Sequence, residues 1–423
     1  MNATVGEAKR SNHESGHRYH VTYYDGLMRG SVVVVGAGII GAACSRALSK
    51  RGFSVTIVER GASVGGTSAS GEGNLLVSDK APGAELTMAQ YASRLWPDLV
   101  AELANELGRD FPSLEFEPKG GLVVALADSD ARALESFAAH QREYGVRAEP
   151  LGAAEARLLE PDLNPRISSA VFYPDDAQVQ PVIAAEAFLA SARALGTRVV
   201  LGASVIGALA GDQGELAGVR TTKGDFPCDH VVVAAGPWSG EVARVLGGSL
   251  PVAPRKGFIL VTSRMTQRVH HKVYDADYVG AVESDDRGLQ TSTVVESTAS
   301  GTVLIGSSRE RVGFDASLDV AVVSELATKA TRLFPFLSEA SLMRVYCGFR
   351  PFVPDHVPVI GEDPTCPGLW YATGHEGAGI GLAPSTAEIL AATLSGEEPA
   401  IDADPYSPAR PSLASFLTNE PTE

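Results

Sequence analysis

The chain has 423 residues, 44% of them hydrophobic and 20% charged, with a formal net charge of −16. This is the composition of a soluble globular protein, and the length predicts two domains because single cores stop growing near about 250–300 residues. So negative a chain repels nucleic acid and anionic lipid, and no uncharged apolar run approaches the ~18 residues of a membrane span. Four scattered cysteines, Cys44, Cys228, Cys347 and Cys366, form no C-x-x-C pair. They argue against a disulfide framework or an iron–sulfur site in this chain and for a reducing, cytoplasmic setting.

Residues 1–30 are polar and rich in His, Ser, Gly and Arg. The expectation is a disordered tail; His13, His17 and His20 could share a helix face as a metal patch, but nothing apolar would hold such a helix in place. The first ordered segment is then Val32–Val35, a buried parallel strand by its run of valines. It runs into Gly36-Ala37-Gly38-Ile39-Ile40-Gly41, an amphipathic helix and a second strand, Ser54 to Val58, that ends at Glu59. These are the parts of a dinucleotide-binding βαβ unit. Gly36 permits the turn, Gly38 lets a pyrophosphate reach the backbone, and Gly41 lets helix and strand approach. The phosphates would lie on the N–H groups of the helix N-terminus, and Glu59 would accept hydrogen bonds from a ribose.

Two small-residue clusters follow, Gly65-Gly66-Thr67-Ser68 and Gly71-Glu72-Gly73-Asn74, as expected where backbone passes along an extended cofactor. Residues 84–108 show helical spacing of apolar side chains. Strand-like segments then accumulate at Leu122–Leu126, Ala170–Tyr173, Gly257–Thr262, Val273–Val282, Thr291–Glu296 and Thr302–Ile305. Their period-two alternation and short turns predict a mainly antiparallel sheet. The α/β pattern returns with a helix from Pro181 to Leu195, a strand pair at Val199–Leu201 and Val205, and a buried strand at His230–Ala235 leading to Gly236-Pro237-Trp238. A last strand, Leu369–Ala372, precedes the glycine-rich Gly374–Gly381 and a helix from about Ala383 to Leu394.

The expected architecture is α/β: a discontinuous Rossmann-like dinucleotide-binding domain (31–86, 177–246 and 351–397) with an inserted, mainly antiparallel β-sheet substrate domain (87–176 and 247–350) and a C-terminal tail from 398. The ordered motifs are Glu59-Arg60, Gly65-Gly66-Thr67-Ser68, Val233-Ala234-Ala235-Gly236, Gly348-Phe349-Arg350-Pro351, Pro358-Val359-Ile360-Gly361 and Gly374-His375-Glu376-Gly377-Ala378-Gly379-Ile380-Gly381. Together they resemble the FAD-dependent D-amino-acid oxidase superfamily, which includes glycine and sarcosine oxidases, over about residues 31–397. Glu72-Gly73-Asn74-Leu75-Leu76, Phe172-Tyr173-Pro174-Asp175-Asp176 and the His375-Glu376-Gly377 loop look closer to one branch. That branch holds the flavin subunits of D-hydroxyproline dehydrogenase, opine oxidase and hydrogen cyanide synthase complexes.

The resemblance implies FAD, an amine oxidised beside a carboxylate, and electron-transfer partner subunits bearing iron–sulfur or a second flavin. The cofactor contacts it implies are Gly36, Gly38, Ile39, Ile40, Gly41, Glu59, Arg60, Gly66, Thr67 and Ser68 near the fingerprint. Gly73, Asn74, Leu75, Val205, Ala235, Gly236 and Trp238 follow, and then Gly377, Gly379, Ile380 and Gly381, whose N–H groups would face negative charge on the reduced flavin. Arg350 would hold the substrate carboxylate in its planar fork. His375 would hydrogen-bond substrate or tune amine protonation, or be an ordinary loop histidine. Tyr278 and Lys256 are weaker candidates, and Cys347 stands one residue from the position of covalent flavin attachment in sarcosine oxidases. Leu304 occupies the strand where sarcosine oxidases place an oxygen-activating lysine, which favours a dehydrogenase. The leading expectation is an FAD-dependent dehydrogenase of a small D- or secondary (imino) amino acid, a hydroxyproline-like one first. The alternatives are a free-standing amino-acid oxidase producing peroxide, a non-catalytic flavin-binding subunit and a nicotinamide dehydrogenase.

Overall fold

The computed structural model describes residues 29–277 and 286–417. The histidines at 13, 17 and 20 and Tyr278 therefore lie outside the described residues. Two large sheets organise the rest. The first has six strands in the order Val359–Glu362, Leu369–Thr373, His230–Val233, Ser31–Val35, Ser54–Glu59 and Arg198–Leu201. All neighbours are parallel except the edge strand Val359–Glu362, which runs antiparallel to Leu369–Thr373. The four valines of the central strand are buried, Val32 and Val34 in a cluster with the helices on one face, Val33 and Val35 in a second cluster with Leu216, Val219, Ala243 and Leu246 on the other, which is why the run is apolar throughout.

The second sheet has eight strands: Leu342–Phe352, Ala253–Thr262, Val303–Arg309, Gln290–Ser297, Lys272–Asp275, Gly121–Ala125, Ser169–Tyr173 and Glu149–Leu151, in that order. Its pairs are antiparallel apart from Lys272–Asp275 beside Gly121–Ala125. Strands of the first sheet come from three separated stretches of chain, and strands of the second from the two stretches between them. The architecture is thus α/β with a discontinuous parallel-sheet unit and a mainly antiparallel one, as the motifs predict.

Several elements differ from expectation in ways that matter later. Val199–Leu201 and Val205 are not a strand pair: Arg198–Leu201 joins the parallel sheet, whereas Val205–Ala210 joins a separate three-stranded sheet with Leu216–Thr221 and Gly224–Pro227. The turn at Gly202, with φ +67°, parts the two. The strand expected to begin at Val273 is Lys272–Asp275 within the described residues. The helix expected from about Ala383 begins at Gly379 and runs to Leu394, so that the glycine-rich loop supplies its first turn. The eleven-residue strand Leu342–Phe352 has no expectation behind it, because its first three residues are exposed, the next six only half-buried, and its sequence, LMRVYCGFRPF, does not alternate cleanly.

Helix Ala84–Leu107 packs on the parallel-sheet side. Buried Trp96 donates from Nε1 to the carbonyl of Gly381 at 2.9 Å and meets Phe188 edge-on at 5.9 Å. Buried Arg46, on the helix Ile39–Lys50, pairs with Glu106 at 2.8 Å. Beyond residue 398 the chain also packs on the body. Tyr406 Oη donates to Ala84 O at 2.8 Å, and buried Arg410 holds Asp355 through two nitrogens at 2.7 and 2.8 Å. Among the described residues no helix is long and apolar enough to cross a membrane.

Candidate active site between the two sheets

A cavity of about 590 Å³ runs from the carboxyl end of Ser54–Glu59 to the second sheet, where Arg350 and His375 lie in its wall. Its first part is the glycine fingerprint. Gly36 has φ +114°, and a Cβ there would stand 2.5 Å from the carbonyl oxygen of Ala234. A Cβ on Gly41 would fall 2.0 Å from Gly36 O. These two glycines are demanded by backbone approaching backbone, which presses the turn against the strand. Gly38, Ile39 and Ile40 line the cavity, and Gly38 as N-cap contributes no side chain to the helix end. Ile39 N donates to Ser68 Oγ at 3.0 Å, which ties the small-residue cluster to the fingerprint.

Glu59 lies in the wall as expected, with Oε2 accepting from Ala37 N at 2.9 Å and Oε1 from Gly61 N at 2.8 Å. Arg60 lies 3.7 Å above the ring of Trp238, and Trp238 stacks on Phe314 at 5.0 Å. Arg60 and Trp238 of this cation–π and stacking column line the cavity and give it flat surface. Gly66, Thr67, Ser68, Gly73, Asn74, Val205, Ala235 and Gly236 also line the cavity. So do Gly377, Gly379 and Ile380 at the start of the helix Gly379–Leu394, whose N-cap residue Ala378 makes no side-chain cap.

Three expected contacts are set back from this wall. Gly41 serves the strand–helix packing just described, while Leu75 and Gly381 pack on each other behind the wall, 3.4 Å separating Leu75 Cα from a Cβ on Gly381. Lys256 and Cys347 are absent from the wall too: the buried lysine donates to Ser317 O at 2.8 Å. Leu304 is buried with Ile259 and Val261 in an apolar cluster, and of these Ile259 reaches the cavity.

Arg350 is carried by Leu342–Phe352 and lies directly across from Arg255 in the neighbouring strand. Its Nη1 donates to Ser308 O at 2.9 Å. Room for the guanidinium comes from Gly257, where a Cβ would sit 2.2 Å from Nη1. His375 lies beneath the glycine turn with Nε2 2.8 Å from Thr386 Oγ1. Burial pushes its pKa down to about 3, which favours the neutral imidazole. A neutral ring can orient a hydrogen-bonding partner without carrying charge. Glu376, at φ +46°, bridges Arg255 Nη1 at 3.1 Å and His356 Nδ1 at 2.7 Å. Sequence reasoning passed over Gly257, Ile259 and Ser307 in the wall, because their strands cross the cavity only after the sheet has formed.

The residues present suit FAD. A backbone cradle that excludes Cβ atoms, an acid at the end of the second strand and two uncapped helix N-termini in one cavity form a surface for a pyrophosphate and an electron-rich ring. Comparison with known proteins agrees. Residues 31–393 match the family model described as FAD dependent oxidoreductase. The chain is 33% identical over 382 residues to glycine oxidase of Pseudomonas aeruginosa, covering 89% of this chain and 98% of that one. It is 29% identical over 418 residues to hydrogen cyanide synthase subunit HcnC of the same organism, covering 90% and 95%. Among solved structures, glycine oxidase from Geobacillus kaustophilus superposes with a TM-score of 0.81 at 27% identity, covering 90% of this chain and 98% of the other. Fingerprint, cavity and relatives converge, and the chain belongs to the DAO family of FAD-dependent oxidoreductases.

Proposed function

We propose that the chain is an FAD-dependent amino-acid dehydrogenase that oxidises a small D- or secondary amino acid, hydroxyproline-like in the first instance. The observation that carries this reading is Arg350, a guanidinium in the wall where the antiparallel sheet meets the glycine-rich helix start. Its planar fork suits two parallel hydrogen bonds to a carboxylate, with Nη1 also tied to Ser308 O. FAD when bound supplies the hydride acceptor, flavin N5. The chain's part is to align the substrate and to steady charge. Arg350 fixes the carboxylate, Gly379 and Ile380 offer N–H groups to negative charge on the ring, and Ile259 with Leu304 keeps the nearby wall apolar. The iminium product would hydrolyse to a keto acid and ammonia, or remain as a cyclic imine.

Electron-transfer partner subunits with iron–sulfur or a second flavin belong to this proposal, supported by the likeness to a protein named as a synthase subunit. A second reading, an oxidase passing electrons to oxygen, is favoured by the 33% identity to a glycine oxidase. An anaerobic screen of amino and imino acids, read by bleaching of flavin absorbance, tests both. Bleaching by a small amino acid followed by dye reduction without peroxide in air is the expected result. Peroxide at a matching rate would select the oxidase, and no bleaching by any amino acid would remove both readings.

A further inference from the structure

Four glutamates line the cavity; two are held by partners and a third is exposed to solvent. Glu59 is held by Ala37 N and Gly61 N, Glu376 by Arg255 and His356, and Glu241 is exposed on a short helix. Glu72 is different. It is 8% exposed, its Oε2 accepts from Asn74 Nδ2 at 2.9 Å, and its Oε1 accepts no hydrogen bond from a described residue. Oε1 presses against Gly306, where a Cβ would stand 2.4 Å away. Two further wall atoms close by, Asn74 Oδ1 and Ser307 Oγ, are buried without a described partner as well. Two acceptors and an adaptable hydroxyl call for a ligand rich in N–H donors.

Behind this wall lies more negative charge. Lys272 Nζ stands 3.8 Å from Glu72 Oε2 and 4.0 Å from Glu296 Oε2, one ammonium between two buried carboxylates. Glu296 is 0% exposed, and neither of its oxygens accepts a hydrogen bond from a described residue. The other charged or titratable groups facing the cluster are Tyr346 on the strand Leu342–Phe352 and the pair Lys119–Glu117, 3.1 Å apart. Desolvation, with Glu72 alongside, raises the Glu296 carboxyl to about 7, while Lys272 opposes it. The tyrosine hydroxyl is pushed upward by burial and by the two glutamates. A carboxylate so enclosed is costly unless a cation or a proton joins it.

We propose that Glu72, backed by Lys272 and Glu296, forms the amine subsite and accepts the proton that the substrate ammonium must lose. This rests on the amino-acid reading above. An N–H bond of the ammonium breaks, an O–H bond forms on the carboxylate, and the electron pair stays on nitrogen. Nitrogen then forms the C=N bond as the α-hydrogen leaves with its electrons for the flavin, which is the oxidant.

The test compares two nearly isosteric probes on the FAD-loaded protein. 2-Aminoisobutyrate carries carboxylate and ammonium but no α-hydrogen, and pivalate replaces the ammonium by methyl. Binding is read from the flavin spectrum and by calorimetry. In the wild type at about pH 8, 2-aminoisobutyrate should bind at least tenfold tighter than pivalate, and the preference should fade as pH drops through about 7. Glu72→Gln should abolish the preference while pivalate still binds, and Glu296→Gln should remove its pH dependence. Pivalate binding with no advantage for the amine, or an advantage untouched by Glu72→Gln, overturns the amine subsite and leaves the carboxylate site standing. Failure of both probes to bind overturns the amino-acid reading itself.

Discussion

Single side chains set the chemistry here by geometry more than by charge. Arg350 owes its place to an absence, the missing side chain of Gly257 across the ladder. Arg350→Lys keeps the charge but loses the planar fork, so a carboxylate inhibitor should bind at least about tenfold more weakly with flavin content unchanged. An unaltered affinity would remove the assignment. Gly257→Ala should do comparable harm without touching the charge, since its Cβ would meet Nη1 at 2.2 Å and Ser308 O at 2.5 Å. Retained inhibitor affinity in that variant would show that the arginine has another way in. His375 makes a contrasting case. Because burial holds it neutral, His375→Asn should change the rate of flavin reduction but leave its pH profile between about 5 and 9 in place. A displaced profile would mean that the imidazole does titrate.

At the scale of elements, the fingerprint turn is held by backbone meeting backbone. Gly36→Ala would have to adopt φ +114° and intrude on Ala234 O, so the variant should purify with little or no FAD. Normal flavin absorbance in it would contradict the cradle. The start of the helix Gly379–Leu394 shows why some boundaries elude periodicity. Gly379, Ile380 and Gly381 are poor helix formers as a run, yet the helix begins there because Gly381 packs against Leu75 and its carbonyl accepts from Trp96. Tertiary contacts thus decide where the N–H groups of that helix point. The strand Leu342–Phe352 escaped for a related reason: most of it is exposed or only half-buried, and it draws its order from pairing with Ala253–Thr262.

For the whole molecule, the buried acids carry a stability consequence. Asp176 accepts from Val77 N at 2.9 Å and Ser78 N at 3.3 Å, but desolvation dominates and lifts its carboxyl from 3.8 to about 7. The folded state then keeps a proton that the unfolded chain has released, so this group's contribution shrinks as pH rises from about 4 through about 7. Asp176→Asn should flatten that part of the dependence, measured as urea midpoints at about pH 5 and about pH 8. Equal slopes for variant and wild type would refute the assignment.

The cofactor half of the site was legible along the chain because its contacts are local. Glycines needed at fixed offsets, an acid about twenty residues on, and a helix start all lie within one βαβ unit, so spacing alone encodes them. Arg350 was legible only through its motif, since nothing in a window around it says which strand stands opposite. The wall made by Gly257, Ile259 and Ser307, the burial of His375 and the Glu72–Lys272–Glu296 cluster were decided by the tertiary structure. Each joins residues far apart in the chain, and burial, which sets their charge and hydrogen bonding, exists only once the two sheets have closed on each other.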